Sequence, residues 1–176
     1  MSDERIWAPW RLEFIKGDGP EPEPDELVGL PPGADPNCFL CRAVPEGEDR
    51  RRLVVERTDL AVTVLNRYPY NNGHLLVAPR RHVGRLDGLT EAEQLELLAT
   101  ITRMTGKLEE LLDAEAFNVG VNLGVAAGAG LPGHLHWHIV PRWNGDTSFM
   151  PTIAGVRVIP QSLNALWELM TGRSGA

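Results

Sequence analysis

The stretch HLHWHIV at residues 134–140 alternates imidazoles with apolar side chains. Successive side chains of a β-strand point to opposite faces, so the alternation predicts a strand with His134, His136 and His138 on one face. The three imidazoles would follow one another at about 7 Å intervals. Packing gives no reason for such a row, because each buried imidazole must satisfy two ring nitrogens or lose about 1–3 kcal/mol. The row of histidines therefore indicates a site with a chemical function.

Four further segments on the N-terminal side of this stretch have the composition of strands. β-Branched and apolar residues dominate them, and turn residues separate them. They are LVVE at 53–56, LAVTVLN at 60–66, HLLVAP at 74–79 and FNVGVNL at 117–123. The turn PYNNG at 69–73 predicts a hairpin between the second and third of these strands.

A long helix is predicted after TEAE at 90–93, which reads as a capping box in which the Thr90 side chain accepts from the Glu93 amide. An apolar stripe at helical spacing extends to about Asp113 and predicts packing on the sheet. Its members are Leu95, Leu98, Ile101, Met104, Leu108, Leu111 and Leu112.

A second, shorter helix is predicted for SLNALWELM at 162–170, which carries four apolar residues on one face. These are Leu163, Leu166, Trp167 and Met170. Together the segments predict an α+β fold with a mostly antiparallel sheet, one long helix and a short C-terminal helix.

The length of 176 residues suits one domain spanning residues 1–176. Within it, the segment at 17–36 is rich in proline, glycine and acidic residues and is predicted to be a loop. The aromatic cluster before it, Trp7, Trp10 and Phe14, is expected to be anchored on the body of the protein or on a partner subunit.

The net charge of −7 opposes attraction to polyanions and so argues against a nucleic-acid polymer as partner, whereas a small anionic substrate needs only local donors. No apolar run approaches the roughly 18–20 residues of a membrane span, so no membrane partner is expected. The N-terminal sequence also lacks the pattern of a secretory signal. A cytoplasmic location is therefore predicted.

The row of histidines resembles the motif of the histidine triad (HIT) superfamily, which is His-x-His-x-His followed by two apolar residues. The resemblance extends to Pro141-Arg142, to Asn66 at a strand end, and to Gly73-His74. Within the superfamily, segments such as WAPWR, LNRYPYNNGHLLVAP and PRWNGDTSFM resemble bacterial dinucleoside polyphosphate hydrolases and phosphorylases, such as those acting on diadenosine tetraphosphate. The resemblance implies a HIT-like fold.

It also implies that His136 attacks the α-phosphorus of a nucleotide and forms a nucleotidyl-histidine intermediate, which water or phosphate then resolves. Neutral imidazole is a good nucleophile near pH 7, so the residue suits the chemistry. His138 matches the third triad position and is expected to stabilise phosphate charge or to protonate the leaving group. His74 matches a fourth family histidine with either a direct chemical role or a structural hydrogen bond.

The resemblance assigns substrate binding to Asn66, which holds ribose hydroxyls in relatives, and to Asn122, which holds phosphate. The small residues between Gly124 and Gly133, among them Gly128 and Gly130, permit close approach of backbone amides to phosphate. The sequence departs from the commoner pattern here, because the Gln and the Ser or Thr that usually precede the triad are missing.

Cys38 and Cys41 form a C-x-x-C pair, which supplies only two of the four ligands of a structural zinc site. In a zinc-containing subset of the superfamily, including galactose-1-phosphate uridylyltransferases, such a pair is joined by two histidines. Those positions match His82 and His134, so the resemblance implies structural zinc. Buried thiols and a redox pair are the alternatives.

Several functions remain open at this point. One alternative is a nucleoside phosphoramidate or adenylyl-conjugate hydrolase, and another is a nucleotide-binding sensor with incidental catalysis. A uridylyltransferase is disfavoured, because those relatives carry Gln where this chain has His138. Relatives are generally homodimers, and the aromatic residues Trp7, Trp10 and Trp143 would suit such an interface.

Overall fold

The structure is a computed structural model that describes residues 29–146 and 159–173. In these ranges five strands form one antiparallel sheet in the order β1-β2-β3-β5-β4. The strands are β1 (Val54–Arg57), β2 (Ala61–Leu65), β3 (Leu75–Pro79), β4 (Ala116–Val121) and β5 (Trp137–Arg142). The helices are α1 (Phe39–Ala43), α2 (Glu91–Leu112) and α3 (Leu163–Thr171). The predicted fold class and the hairpin between β2 and β3 are confirmed.

The alternation of side chains along each strand gives the sheet two buried faces. On β2, Ala61 and Leu65 belong to a core shared with α2 and α3, whereas Val62 and Val64 belong to a core shared with α1. The second core also contains both cysteines. The long helix therefore covers one face of the sheet, and the C-x-x-C segment covers the opposite face.

The start of α2 confirms the predicted capping box. The Thr90 hydroxyl accepts from the Glu93 amide at 3.2 Å, and the Glu93 carboxylate accepts from the Thr90 amide at 2.8 Å. Arg81 also donates to both Glu93 carboxylate oxygens at 2.7 Å, which lowers the pKa of this carboxyl to about 2. The cap is thereby tied to the segment that follows β3.

The buried stripe of α2 differs from the predicted one in its first two turns. Leu95 and Leu98 are 70% and 62% exposed, whereas Leu97 is 2% exposed and begins the row that packs on the sheet. At 3.6 residues per turn, Leu95 lies about 160° around the helix from Leu97. The leucines at 95 and 98 were therefore assigned to the wrong face, while Ile101, Met104 and Leu108 are buried as predicted.

This difference predicts that Leu97→Ala lowers the free energy of unfolding by about 2–5 kcal/mol, because the truncation leaves a cavity between helix and sheet. Leu95→Ala is the matched control, with an expected change below about 0.5 kcal/mol at its exposed position. Urea denaturation of the two variants measures both values. Equal destabilisation would contradict the packing of α2 described above.

Two boundaries near the histidines and cysteines also differ from the sequence expectation. The last strand begins at Trp137, and His134 and His136 precede it. The Leu135 amide donates to Val83 O at 2.7 Å, so this segment is held by the loop after β3 and not by the ladder. The short helix α1 was not predicted, since five residues are too few to show a helical period.

The described part of the predicted loop, residues 29–36, contains turns and neither helix nor strand. Residues 17–28 and the aromatic cluster of Trp7, Trp10 and Phe14 lie outside the described ranges. Within those ranges, every helix is too short or too polar to cross a bilayer. The prediction of a single domain over the whole chain stays a prediction.

Candidate active site and metal centre

Three neighbouring strands bring together two predicted catalytic residues, His74 and His138, and one predicted substrate-binding residue, Asn66. Asn66 directly follows β2, His74 directly precedes β3, and the Asn66 amide donates to His74 O at 2.9 Å across the hairpin. His138 lies on β5, whose residues pair with β3 in the register Leu76 to His138. The sheet order β2-β3-β5 thus places these side chains in one cluster.

His136 lies immediately before β5 and is almost wholly buried. Its Nδ1 is 2.8 Å from the carbonyl oxygen of His134. A carbonyl oxygen only accepts, so Nδ1 carries the proton and Nε2 of the neutral ring keeps its lone pair. The ring centroid lies 5.1 Å from that of His138. Nε2 of His136 is therefore suited to nucleophilic attack beside a second imidazole.

His74 and His138 are joined by a short hydrogen bond, with His74 Nε2 at 2.9 Å from His138 Nδ1. Burial lowers the pKa of His74 to about 3, and the nearby His138 and His136 act in the same direction. Burial and the neighbouring His136 likewise lower the pKa of His138 to about 4. Both imidazoles are therefore neutral at pH 7.

Of the predicted substrate-binding residues, Asn66 contacts the histidine cluster, with Nδ2 at 3.2 Å from His74 Nδ1. Asn122 follows the last paired residue of β4, where Val121 lies opposite Trp137, and this register places it beside His136. Gly128 and Gly130 lie on the exposed loop between β4 and His134.

The loop itself is partly closed by its own hydrogen bonds. Gly128 adopts a φ of 86°, which favours glycine, and its amide donates to Val125 O at 2.9 Å. Contact between this amide and a phosphate therefore requires the turn to open. The loop leads into His134, and a phosphate-binding role for its amides stays a prediction.

The four predicted metal ligands converge in one cluster. One ligand atom from each of Cys38, Cys41, His82 and His134 lies within 4.8 Å of the other three. Nδ1 of His134 is 3.2 Å from Cys38 Sγ, and Nδ1 of His82 is 3.2 Å from Cys41 Sγ. A tetrahedral zinc ion with ordinary bond lengths separates such atoms by about 3.5 Å. The residues fit a closed tetrahedral site.

The surroundings of these ligands support the same conclusion. Nε2 of His134 donates to Pro79 O at 2.8 Å, which orients Nδ1 toward the sulfurs. The Cys41 amide donates to Cys38 Sγ at 3.4 Å. Burial raises the pKa of the Cys38 thiol to about 12, so a thiolate here needs a nearby cation such as a metal ion. Through the His134 carbonyl, the group also holds His136.

Two contacts in the cluster come from backbone groups that no motif in the sequence indicates. The Tyr70 amide donates to His74 Nδ1 at 3.1 Å, and the Pro79 carbonyl accepts from His134. Backbone groups are present at every position, so no sequence signal distinguishes these two. Only the fold selects them.

A cavity of about 680 Å³ lies at another part of the molecule, against the loop before β1 and the start of α3. Its lining includes Arg50, Arg51, Arg67 and Ser162, and it contains none of the predicted catalytic or metal-binding residues. Several of its charged groups already pair, such as Arg50 with Glu168 at 2.7 Å. The candidate site is therefore the histidine cluster and not this cavity.

Comparison with known proteins gives a consistent pattern. Residues 48–145 match the family described as HIT domain. The chain is 40% identical over 172 residues to an AP-4-A phosphorylase of Mycobacterium tuberculosis, covering 95% of this chain and 82% of that protein. It is 39% identical over 95 residues to an asymmetrical bis(5'-nucleosyl)-tetraphosphatase of Schizosaccharomyces pombe, covering 54% and 52%.

A similar solved structure is that of a Zn-bound histidine triad family protein from Mycobacterium smegmatis. It superposes with a TM-score of 0.57 and 26% sequence identity, over 68% of this chain and 81% of that one. The fold is thus shared with a solved protein that is named as a member of the histidine triad family.

Proposed function

Since this chain belongs to the histidine triad (HIT) family, we propose that it is a nucleotide hydrolase or phosphorylase that cleaves dinucleoside polyphosphates at the α-phosphate. The observation that carries the proposal is the arrangement of His136, whose Nδ1 is held by the His134 carbonyl while Nε2 remains free beside His138. The similarity to relatives that are named for dinucleoside polyphosphates supports the substrate class.

The reaction proceeds in two displacements. The Nε2 lone pair of His136 forms a bond to the α-phosphorus, and the P–O bond to the leaving nucleoside polyphosphate breaks with its electron pair. His138 assists at the phosphate from its position beside His136. The acceptor then attacks the nucleotidyl-histidine and restores the free ring. Asn66 and Asn122 are proposed to hold the ribose and the phosphate during both steps.

Inorganic phosphate is proposed as the acceptor of the second step. The support is the 40% identity to the AP-4-A phosphorylase over most of both chains, compared with a match to the tetraphosphatase over about half of each. Water as acceptor would make the protein a hydrolase with the same first step.

Product analysis with diadenosine tetraphosphate tests the function and the acceptor together. With phosphate present, we expect ATP and ADP, because phosphate takes the adenylyl group from His136. Without phosphate, turnover should fall by at least about 10-fold, and AMP should replace ADP if water reacts. Chromatography of the nucleotides distinguishes these outcomes. Formation of ATP and AMP at the same rate in both conditions would contradict phosphate as acceptor.

The same assay separates the alternative functions. A nucleoside phosphoramidate hydrolase would turn over adenosine phosphoramidates faster than diadenosine tetraphosphate. A nucleotide-binding sensor would bind these compounds with no turnover. The similarity to two relatives that are named for dinucleoside polyphosphates favours the first function over both alternatives.

Zinc is proposed as the ion held by Cys38, Cys41, His82 and His134. The support is the Cys2His2 cluster and the similarity to a Zn-bound family member. Four protein ligands leave no position for water or substrate, so the ion would stabilise the fold and would not act as a Lewis acid. These residues contribute to the reaction by positioning the nucleophile, because the His134 carbonyl accepts a hydrogen bond from Nδ1 of His136.

A homodimer is proposed on the exposed edge of the sheet. The edge strand β4 and the loop after it expose apolar side chains, with Val119 46% and Val125 74% exposed. An edge strand with such residues is suited to pairing with a second copy. Trp143 contributes less than expected, since it is half-buried and its indole N–H donates to Leu112 O at 3.1 Å. A cytoplasmic location also stays a proposal.

A further inference from the structure

A chain of hydrogen bonds fixes the proton on His74. Tyr70 donates its backbone N–H to His74 Nδ1 at 3.1 Å. Nδ2 of Asn66 lies 3.2 Å from the same nitrogen, and it must be the amide nitrogen because Asn66 Oδ1 accepts from the Tyr68 N–H at 3.0 Å. The Asn66 Nδ2 atom also lies 3.5 Å from His74 Nε2, so the directed donor to Nδ1 is the Tyr70 N–H, and Nδ1 must carry a lone pair. The neutral ring of His74 has its proton on Nε2.

The proton position on His138 follows from that of His74. Nε2–H of His74 donates to His138 Nδ1 at 2.9 Å, so this nitrogen accepts and the neutral ring carries its proton on Nε2. Nε2 of His138 is buried and has no hydrogen-bond partner in the described part of the chain. The ring lies beside that of His136, with centroids 5.1 Å apart. A buried N–H without a partner is therefore present next to the nucleophile.

The same geometry disfavours a protonated His138. An imidazolium carries N–H at both nitrogens, so His74 Nε2 would have to accept while its Nδ1 also accepts from the Tyr70 N–H. His74 would then lack both protons, a state that imidazole does not reach near neutral pH. Burial and the neighbouring His136 lower the pKa of His138 to about 4, which is in agreement.

We propose that His138 assists the reaction as a neutral hydrogen-bond donor through Nε2–H and not as a general acid, with His74 as the positioning residue that fixes this tautomer. This inference rests on the proposed attack by His136. The new P–N bond takes the lone pair of His136 Nε2, and the broken P–O bond leaves its electron pair on the departing oxygen. No proton leaves His138, because His74 could not replace it.

The proposal defines the substrate class of the site. A leaving group must be stable as an anion, which is true of a nucleoside polyphosphate and untrue of an alkylamine. Phosphoanhydrides are therefore the expected substrates, and phosphoramidates are disfavoured. This preference for phosphoanhydrides over phosphoramidates depends on whether the leaving atom needs a proton. It does not depend on the nucleobase or the sugar of the substrate.

A leaving-group series tests the role of His138. The probes are diadenosine tetraphosphate and the 4-nitrophenyl and phenyl esters of AMP, each assayed with wild-type protein and with His138→Ala. We expect the variant to lose about 10²-fold on every probe, because one donor to the phosphate is removed. A loss that grows with the basicity of the leaving group would show proton donation and would overturn the proposal.

A pair of His74 variants tests the positioning role. His74→Gln keeps an N–H donor near the place of Nε2, whereas His74→Leu has none at similar size. The ¹⁵N resonances of the His138 ring report its tautomer in the absence of substrate. We expect the Nε2–H form at pH 7 in wild-type and Gln proteins, a mixture in the Leu protein, and activity retained to within about 10-fold only by the Gln variant.

Two results of this experiment would overturn the proposal: a doubly protonated or Nδ1–H form of His138 in the wild-type protein at pH 7, or equal tautomers and equal activities in the Gln and Leu variants. Thermal denaturation shows whether each His74 variant is folded. The leaving-group series does not use the His74 variants, so it tests the proposal even if they fail to fold. Failure of the proposed function is distinguishable, because it would appear as absence of a nucleotidyl-His136 adduct while the ¹⁵N result stands.

Discussion

His136→Asn should lower kcat/KM for diadenosine tetraphosphate by at least about 10³-fold, because it removes the only lone pair that the proposed first step uses. The substitution should preserve the hydrogen bond that His136 makes through Nδ1. The asparagine Nδ2 occupies nearly the place of His136 Nδ1 and can still donate to the His134 carbonyl, which is 2.8 Å away in the wild-type protein. The substitution should therefore slow the chemical step and change the affinity for the nucleotide by no more than a few-fold.

Three measurements check this expectation. Steady-state assays give kcat/KM, calorimetry with a non-hydrolysable dinucleoside polyphosphate gives the affinity, and mass spectrometry after alkaline quenching detects the nucleotidyl adduct on His136. His138→Ala is the matched control, since it removes a neighbouring imidazole but should still form the adduct, more slowly. Substantial turnover by a folded His136→Asn protein would refute the covalent mechanism.

Cys38→Ser should lower bound zinc and thermal stability together. The hydroxyl is a poor zinc ligand, and the binding free energy of a structural zinc ion, about 10–16 kcal/mol in small metal-dependent domains, also favours the folded state. Loss of one ligand should therefore lower the free energy of unfolding by more than about 3 kcal/mol. The serine oxygen can still accept from the Cys41 amide as Cys38 Sγ does, so the start of α1 is preserved.

Ala43→Ser is the control for this variant. Ala43 is the last residue of α1 and is buried, so the substitution buries a hydroxyl in the helix that Cys38 caps and leaves all four ligand residues unchanged. It should retain about one zinc per chain by elemental analysis and lose only about 1–3 kcal/mol. Scanning calorimetry with and without a chelator completes the comparison. Wild-type protein that is free of metal after growth in zinc-replete medium, with unchanged stability, would refute the zinc site.

Chelation should also inactivate the enzyme slowly. The metal would hold His134, and the His134 carbonyl holds Nδ1 of His136, so activity should follow the loss of structure. The positional role predicts that activity and thermal stability decline with the same time course. This coupling runs through one backbone carbonyl, that of His134, two residues before the nucleophile.

Local patterns were sufficient where each residue depends on its neighbours along the chain. The capping box at Thr90 and Glu93 involves groups three residues apart and was predicted correctly. The strands were predicted to within a few residues, because alternation and turn residues act locally. The exposed Leu95 and Leu98 were assigned wrongly, since leucine on either side of a helix fits the period and only the position of the sheet decides which side is buried.

The sequence by itself determined the chemical groups of this protein: three imidazoles in alternation, a fourth histidine after a turn, and a cysteine pair with two matching histidines. The folded structure was needed to tell which nitrogen of His74, His134, His136 and His138 carries the proton. Those choices depend on the Tyr70 amide and on the carbonyls of Pro79 and His134. Every residue has backbone polar groups, so the sequence does not indicate which few of them the fold brings to an imidazole. The position of the proton nevertheless decides whether a given ring nitrogen acts as a nucleophile or as a hydrogen-bond donor.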